Sequence, residues 1–265
     1  MNVLEEIVAH KREEVRAQRD GRPLADVRAA CRHLPPVRDF AAALRPAPGV
    51  RVCLIAEVKR ASPSRGVLNA TLDPVAQARA YAGAGAAALS VLTDRKYFHG
   101  CLDDLVAVRA AVERPVLRKE FIVDEYQLWE ARAAGADAVL LIVAALPRAA
   151  LHDLFHAAGE AGLGTLVEAH SAAELDDAVA LGAPVIGVNN RDLATLTVSL
   201  VPCLELLPRV PRDRVAVAES GLHTAADVAQ AVAAGAHAVL VGEALVRATD
   251  VAAKVRELTL AETSS

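Results

Sequence analysis

The sequence predicts an α/β fold, a (βα)8 TIM barrel with an N-terminal helical extension, and three observations carry that prediction. Eight short apolar runs rich in β-branched residues alternate with longer Ala-rich segments of helical period. The pair Gly-Ala recurs at Gly85-Ala86, Gly135-Ala136, Gly182-Ala183 and Gly235-Ala236, at intervals of 50, 47 and 53 residues, each long enough for two strand-helix units. The length, 265 residues, is usual for such a barrel. An open doubly wound sheet is the competing architecture, because it has the same alternation.

Residues 1–48 precede the repeating units and form the expected extension, with the barrel over 49–265. The extension reads as an amphipathic helix over Val3 to Arg19, a second helix over Leu24 to Arg32, and a connection through Pro35, Pro36, Pro46 and Pro48. Lid and bottom plug are both open to it. The strands are expected at Val52 to Val58, Ala88 to Leu92, Val116 to Lys119, Ala138 to Ile142, Thr165 to Glu168, Val185 to Val188, Val215 to Ala218 and Ala238 to Val241. Helices are expected to start near Pro74, Leu102, Asp124, Pro147, Ala172, Ser199 and Thr224, with a last one after Gly242. In the Gly-Ala pairs, Gly supplies a left-handed helix cap and the small neighbour lets helix and strand pack closely.

Composition narrows the function. Basic and acidic residues number 29 and 33, for a net charge of −4, without blocks of one sign, which argues against nucleic-acid and membrane-surface partners. The longest apolar run, Ala138 to Leu146, is nine residues and too short to span a bilayer. No basic start followed by an apolar signal core is present, so a cytoplasmic location is expected. Cys31, Cys53, Cys101 and Cys203 lack metal-binding spacing and are expected to be reduced packing residues. No nucleotide loop, dinucleotide fingerprint or nucleophile elbow occurs. Neither a metal nor a cofactor is expected. His99, His170 and His223 are expected to be loop residues facing solvent.

In a closed barrel the chemistry sits at the carboxyl ends of the strands. The two-residue period of a strand turns Glu57 and Lys59 to the same side as Ile55, inward. Lys119, Glu168, Asn189 and Glu219 stand at the ends of other strands. Only five of the basic residues are lysines, and two of them, Lys59 and Lys119, occupy such ends. Lys can release a proton where Arg cannot. A structural ion-pair cluster is the alternative, but so many buried charges at one end are costly for stability alone. Gly-containing turns at Glu219-Ser220-Gly221 and Val241-Gly242-Glu243, with the hydroxyl of Ser62, suggest a phosphate site.

Taken together, Ile55-Ala56-Glu57-Val58-Lys59-Arg60-Ala61-Ser62-Pro63-Ser64-Arg65-Gly66, Leu117-Arg118-Lys119-Glu120-Phe121, Leu166-Val167-Glu168-Ala169-His170, Gly187-Val188-Asn189-Asn190-Arg191-Asp192-Leu193 and Ala218-Glu219-Ser220-Gly221 closely resemble the indole-3-glycerol phosphate synthase family. The resemblance implies a lyase of tryptophan biosynthesis. Its reaction closes the ring of 1-(2-carboxyphenylamino)-1-deoxyribulose 5-phosphate to indole-3-glycerol phosphate, with loss of carbon dioxide and water. It implies Lys119 as proton donor to the carbonyl oxygen, Lys59 beside the substrate carboxylate, either Lys59 or Lys119 as the acid in dehydration, Glu168 and Glu57 as carboxylates for proton removal and hydroxyl expulsion, and Glu219 and Asn189 as orienting groups. It implies phosphate contacts at Ser62, Ser220, Gly221 and Gly242, with Glu243 offering its N–H while its carboxylate points away.

The aromatic slot would be lined by Pro63, Phe98, Phe121, Leu140 and Leu193. Arg191 would either pair with substrate or clamp a loop. The expected partner is a small phosphosugar, bound by a monomer or weak homo-oligomer, with other tryptophan-pathway enzymes as further partners. Three carboxylates against two ammonium groups predict that one carboxylate, taken to be Glu168, titrates well above a free Glu. Rival readings are a Schiff-base aldolase with Lys119 as nucleophile, a phosphoribosylanthranilate isomerase, and a non-catalytic scaffold.

Overall fold

A computed structural model describes residues 2–261. Eight parallel strands, β1 (Cys53–Val58), β2 (Ala88–Leu92), β3 (Val116–Lys119), β4 (Ala138–Ile142), β5 (Gly164–Ala169), β6 (Val185–Asn189), β7 (Val215–Glu219) and β8 (Ala238–Val241), close into a barrel in chain order. Closure rules out the open sheet: β1 pairs with β2 through Ile55 and Ala88, and with β8 through Cys53 and Ala238. The expected strands are therefore present, with β5, β6 and β7 each reaching one residue further, to Ala169, Asn189 and Glu219.

Alternation along each strand sorts side chains into two cores. Leu54, Ala56, Val139, Leu141 and Val167 point outward and pack with the surrounding helices. Cys53, Ile55, Leu117, Leu140, Leu166, Val185, Val217 and Leu240 fill the barrel interior. Continued upward, the inner set reaches Glu57, Lys119, Glu168, Asn189 and Glu219, whereas Arg118, of opposite parity, turns outward to Glu130 at 2.7 Å.

The helices follow their caps. The Asp73 side chain accepts from the N–H groups of Val75 and Ala76, and Asp124, Ser171 and Thr224 cap the helices Glu125–Ala133, Ala172–Ala180 and Ala225–Ala233. Gly85, Gly135, Gly182 and Gly235 adopt positive φ where those of the repeat were expected to end helices. Two local differences arise near the mouth. A hairpin pairs Ala61–Ser62 with Gly66–Val67 after β1, and the last helix is split into Glu243–Val246 and Val251–Leu258, the second capped by Asp250. The helix near Ser199 is reduced to Val201–Leu206.

The extension reaches both ends of the barrel. Its first helix, α1 (Val3–Gly21), starts with a capping box between Asn2 and Glu5 and sends Leu4 and Ile7 to the carboxyl-end mouth. α2 (Leu24–Ala30) packs on the helix Glu125–Ala133, with Val15, Val27 and Tyr126 in one cluster. The proline-rich connection contains a short helix not expected from sequence, α3 (Phe40–Ala43), capped by Asp39. Phe40 and Leu44 close the amino end of the interior core, and the Arg38 N–H donates to Asp137 at 2.7 Å beside the start of β3. Lid and plug are thus separate parts of one extension. Among the described residues no helix is long and apolar enough to cross a membrane.

Lys11 fixes α1. It is 1% exposed, and its Nζ lies 2.9 Å from Asp94, 3.1 Å from Glu120 and 2.8 Å from Glu14. Burial would lower its affinity for a proton, but Glu120 and Asp94 more than offset this and raise it above the ordinary lysine range. Removing one partner of a buried cluster strands the others. Lys11→Met is expected to cost about 3 to 5 kcal/mol, measured as a lowered midpoint in urea denaturation.

Candidate active site

The inward parity of the strand ends gathers the charged residues. Lys119 Nζ donates to Glu168 Oε2 at 3.0 Å and to Glu219 Oε2 at 2.7 Å, bridging β3, β5 and β7. Lys59 Nζ lies 2.6 Å from Glu57 Oε1 at the end of β1. Asn189 hydrogen-bonds Glu168 and accepts the Arg191 N–H at 3.0 Å. All these groups line a single cavity of about 480 Å³ at the mouth, and so does every other residue expected to bind substrate.

The floor of the cavity depends on missing side chains. A Cβ on Gly187 would lie 2.1 Å from Glu219 Oε1, so this inward position of β6 makes the space that Glu219 occupies. A Cβ on Gly242 would come within 2.4 Å of Glu57 Oε1 and 3.1 Å of Lys59 Nζ.

The two carboxylates around Lys119 differ, and in the opposite sense to the sequence expectation. Burial pushes Glu168 up, but Lys119 and then His170 outweigh it and hold the group below the usual carboxylate range. Glu219 is pushed up to about 8, first by burial and then by the charge of Glu168, with only Lys119 opposing. Glu219 is therefore the carboxylate that keeps a proton near neutrality, and Glu168 is the ionised one. The cause is a second cation. The His170 ring stands on the Glu168 side, its Nε2 3.3 Å from Glu168 Oε1 and its Nδ1 3.2 Å from Glu174 Oε2. Burial opposes its charge, but its contacts with Glu168 and Glu174 raise it to about 10. His170 is thus mostly buried rather than solvent-facing, a further correction.

The cavity is lined by Ser62 from the hairpin, Ser220 and Gly221 in left-handed conformations after β7, and Gly242 and Glu243 after β8. The Glu243 carboxylate lies 3.4 Å from Arg65 Nε and 3.2 Å from Arg247 Nε, which neutralise it. The apolar lining of the cavity includes Pro63, Phe98, Phe121, Leu140 and Leu193, with the Phe98 and Phe121 ring centroids 6.1 Å apart. Val3, Leu4 and Ile7 of α1 complete this apolar wall. Sequence reasoning missed them because the stripe on α1 says that it packs, not where. Arg191 lines the cavity and ties two loops, its Nη1 donating to Ser64 Oγ and to the Leu196 carbonyl, both at 3.0 Å. The cysteines are free thiols; burial raises Cys53 and pushes Cys203 up to about 12, which suits packing rather than nucleophilic residues.

The family model for indole-3-glycerol phosphate synthase matches residues 4–258. The indole-3-glycerol phosphate synthase of Laribacter hongkongensis is 51% identical over 259 residues, covering 97% of this chain and 98% of its own. The chain belongs to the indole-3-glycerol phosphate synthase family. The Azospirillum brasilense member of the family is 50% identical over 258 residues, again covering 97% of this chain and 98% of its own. Among solved structures, 3-hexulose-6-phosphate synthase from Salmonella typhimurium superposes with a TM-score of 0.63 at 16% identity, covering 79% of this chain and 97% of that one. Thiamine phosphate pyrophosphorylase from Pyrococcus furiosus gives 0.61 at 17%, covering 80% and 96%. At such identities these two share the barrel fold.

In this indole-3-glycerol phosphate synthase family member, the close approach at Gly242 yields a specific expectation. Gly242→Ala should displace the Glu57–Lys59 pair and lower kcat/KM by about tenfold or more, equivalent to about 1.4 kcal/mol, with little change in thermal midpoint. Steady-state kinetics beside a melting curve checks both parts.

Proposed function

We propose that this chain converts 1-(2-carboxyphenylamino)-1-deoxyribulose 5-phosphate into indole-3-glycerol phosphate, carbon dioxide and water, as the ring-closing step of tryptophan biosynthesis in the cytoplasm. The observation that carries the reading is the Lys119 ammonium held between Glu168 and Glu219, in one cavity lined also by an apolar cluster and two Gly-containing loops. The apolar wall suits the aromatic ring. Backbone N–H groups around Ser220, Gly221 and Gly242, with the Ser62 hydroxyl, suit the phosphate.

In the first step the ring carbon bearing the carboxylate attacks the ketone carbon. Lys119 donates a proton to the carbonyl oxygen as charge develops there. An ammonium stabilised by two carboxylates gives up a proton reluctantly, so the proton on neighbouring Glu219 matters. As Lys119 gives one, Glu219 can replace it. The bond to the substrate carboxylate then breaks, carbon dioxide leaves, and its electron pair restores the aromatic ring. Lys59, with its charge shared by Glu57, faces that carboxylate before it departs. In the last step the hydroxyl leaves as water with a proton from Lys59, and Glu168, being ionised, removes the proton from the adjacent carbon to form the indole double bond. Two carboxylates whose proton affinities are pushed apart thus divide the acid and base roles.

The Schiff-base rival fares worse on the same observation. Lys119 is raised above the usual lysine range by Glu168 and Glu219 against the effect of burial, whereas a nucleophilic amine must lose its proton.

Purified protein mixed with the substrate should produce indole fluorescence, and Lys119→Ala should reduce kcat by about a thousandfold, within the range seen for losing a key electrophilic donor. An unimpaired Lys119→Ala would end this assignment. The rate should also fall as pH rises past about 8, because the active form needs the proton that Glu219 then loses. Glu219→Gln, which cannot ionise, should lower kcat at neutral pH and remove that alkaline limb. A pH profile of kcat under chemistry-limited conditions reads this out.

A further inference from the structure

We infer that His170 is a positioning residue for the reaction: clamped by Glu174, its imidazolium holds Glu168 ionised and turned toward Lys119. The inference rests on the proposed role of Glu168 as a base. The arrangement begins with the sequence. His170 follows Glu168 by two residues, so strand alternation sends both side chains toward the same side at the end of β5. The chain then enters the helix Ala172–Ala180 through Ser171, whose hydroxyl accepts from the Glu174 N–H at 3.3 Å.

Glu174 returns this contact in three ways. Its Oε2 accepts from the His170 backbone N–H at 2.9 Å and lies 3.2 Å from His170 Nδ1, while its Oε1 accepts from the Ser171 hydroxyl at 3.0 Å. A carboxylate on Nδ1 requires a proton there and fixes the plane of the ring. Nε2, buried and without a hydrogen-bond partner, is left facing Glu168 Oε1 in an ion-pair contact at 3.3 Å. The other Glu168 oxygen, Oε2, points to Lys119. Each oxygen of Glu168 therefore faces a different cation.

The groups around the ring all favour its charge. Glu168 faces it from β5 and Glu174 from the helix start, and Asp192, in the loop after β6, interacts with it at longer range. The turn Val143–Ala145, packed on the same helix, carries no titratable side chain. Among the described residues Glu219 is ion-paired with Lys119 and with no second cation, and burial with the charge of Glu168 raises its affinity for a proton. Without His170, Glu168 would face burial and the negative charge of Glu219 with Lys119 as the one cation beside it and Asn189 as a neutral donor. It would then compete with Glu219 for the proton and be less available as a base at low pH.

The test uses two readouts on the full chain. In the free protein, NMR of the imidazole nitrogens should find His170 protonated at pH 8, where an ordinary histidine is neutral, and Glu174→Gln should bring its titration down toward the ordinary range. In kinetics, the ratio of kcat/KM at pH 5.5 to that at pH 7.5 should fall at least fivefold in His170→Gln relative to wild type. The titration of the substrate phosphate is common to both and cancels. A merely structural role would lower the thermal midpoint, or the rate equally at both pH values, without changing this ratio. Should His170→Gln not fold, Glu174→Gln carries the kinetic test too, with the same direction expected. Glu168→Gln separates the layers. Normal turnover by that variant overturns the role of Glu168 itself; an inactive Glu168→Gln with an unchanged ratio in His170→Gln, or a neutral His170 at pH 8, overturns the inference alone.

Discussion

A single ammonium group, that of Lys119, makes the mouth of this barrel tenable. Glu168 and Glu219 are each about 1% exposed, and two carboxylates so deeply buried repel one another as well as losing their hydration. Lys119 lies within 3.0 Å of both. Even so, one cation does not balance two anions in a place of low polarity, and Glu219 is the one whose affinity for a proton rises. The asymmetry is chemical capital: one site offers a proton and its neighbour accepts one. His170 decides the direction of the asymmetry because it stands against Glu168 and not against Glu219.

The same residues tie the mouth to the rest of the fold. Glu120, next in sequence to Lys119, meets Lys11 from α1 at 3.1 Å through Oε1, which also accepts the Phe121 N–H, while its Oε2 accepts the Thr93 hydroxyl at 2.8 Å. The placement of α1 is thereby linked to the strand that carries Lys119 and to the Phe121 ring of the apolar wall. The amino end is held independently, by Phe40 and Leu44 under the interior core and by Asp137 between Arg38 and the Val116 N–H. One extension thus constrains both ends of β3.

The strands and the charged rim were legible in the sequence because both follow from local rules. Alternation gave Glu57, Lys59, Lys119, Glu168, Asn189 and Glu219 a common side, and closure in chain order brought them together. The same rule applied to Glu168 would have marked His170, two residues on, as an inward group; it was passed over because a lone loop histidine is commonly solvated. The assignment of the raised carboxylate failed for a different reason. Glu168 and Glu219 are equivalent in sequence terms, and only the location of the second cation, set by the Glu174 contact in the next helix, distinguishes them. The division of the extension into a lid and a plug was likewise hidden, since an apolar stripe carries no address. Helix α3 was obscured by the prolines on either side of it.

The glycines of the rim indicate that space, and not only charge, was selected by the fold. Gly187 occupies an inward position where the neighbouring strands carry Leu166, Glu168 and Val217, and its missing side chain is filled by the Glu219 carboxylate. Any larger residue there would push Glu219 off Lys119 or drive it toward solvent, where its proton would be lost below neutrality. A purely structural core would fill that gap with hydrocarbon, and replacing buried ion pairs by apolar packing commonly gains stability. Keeping instead a void sized for a buried, partly protonated carboxylate favours chemistry over stability, and it explains why the barrel is closed by ordinary aliphatic side chains below this layer and by charges within it.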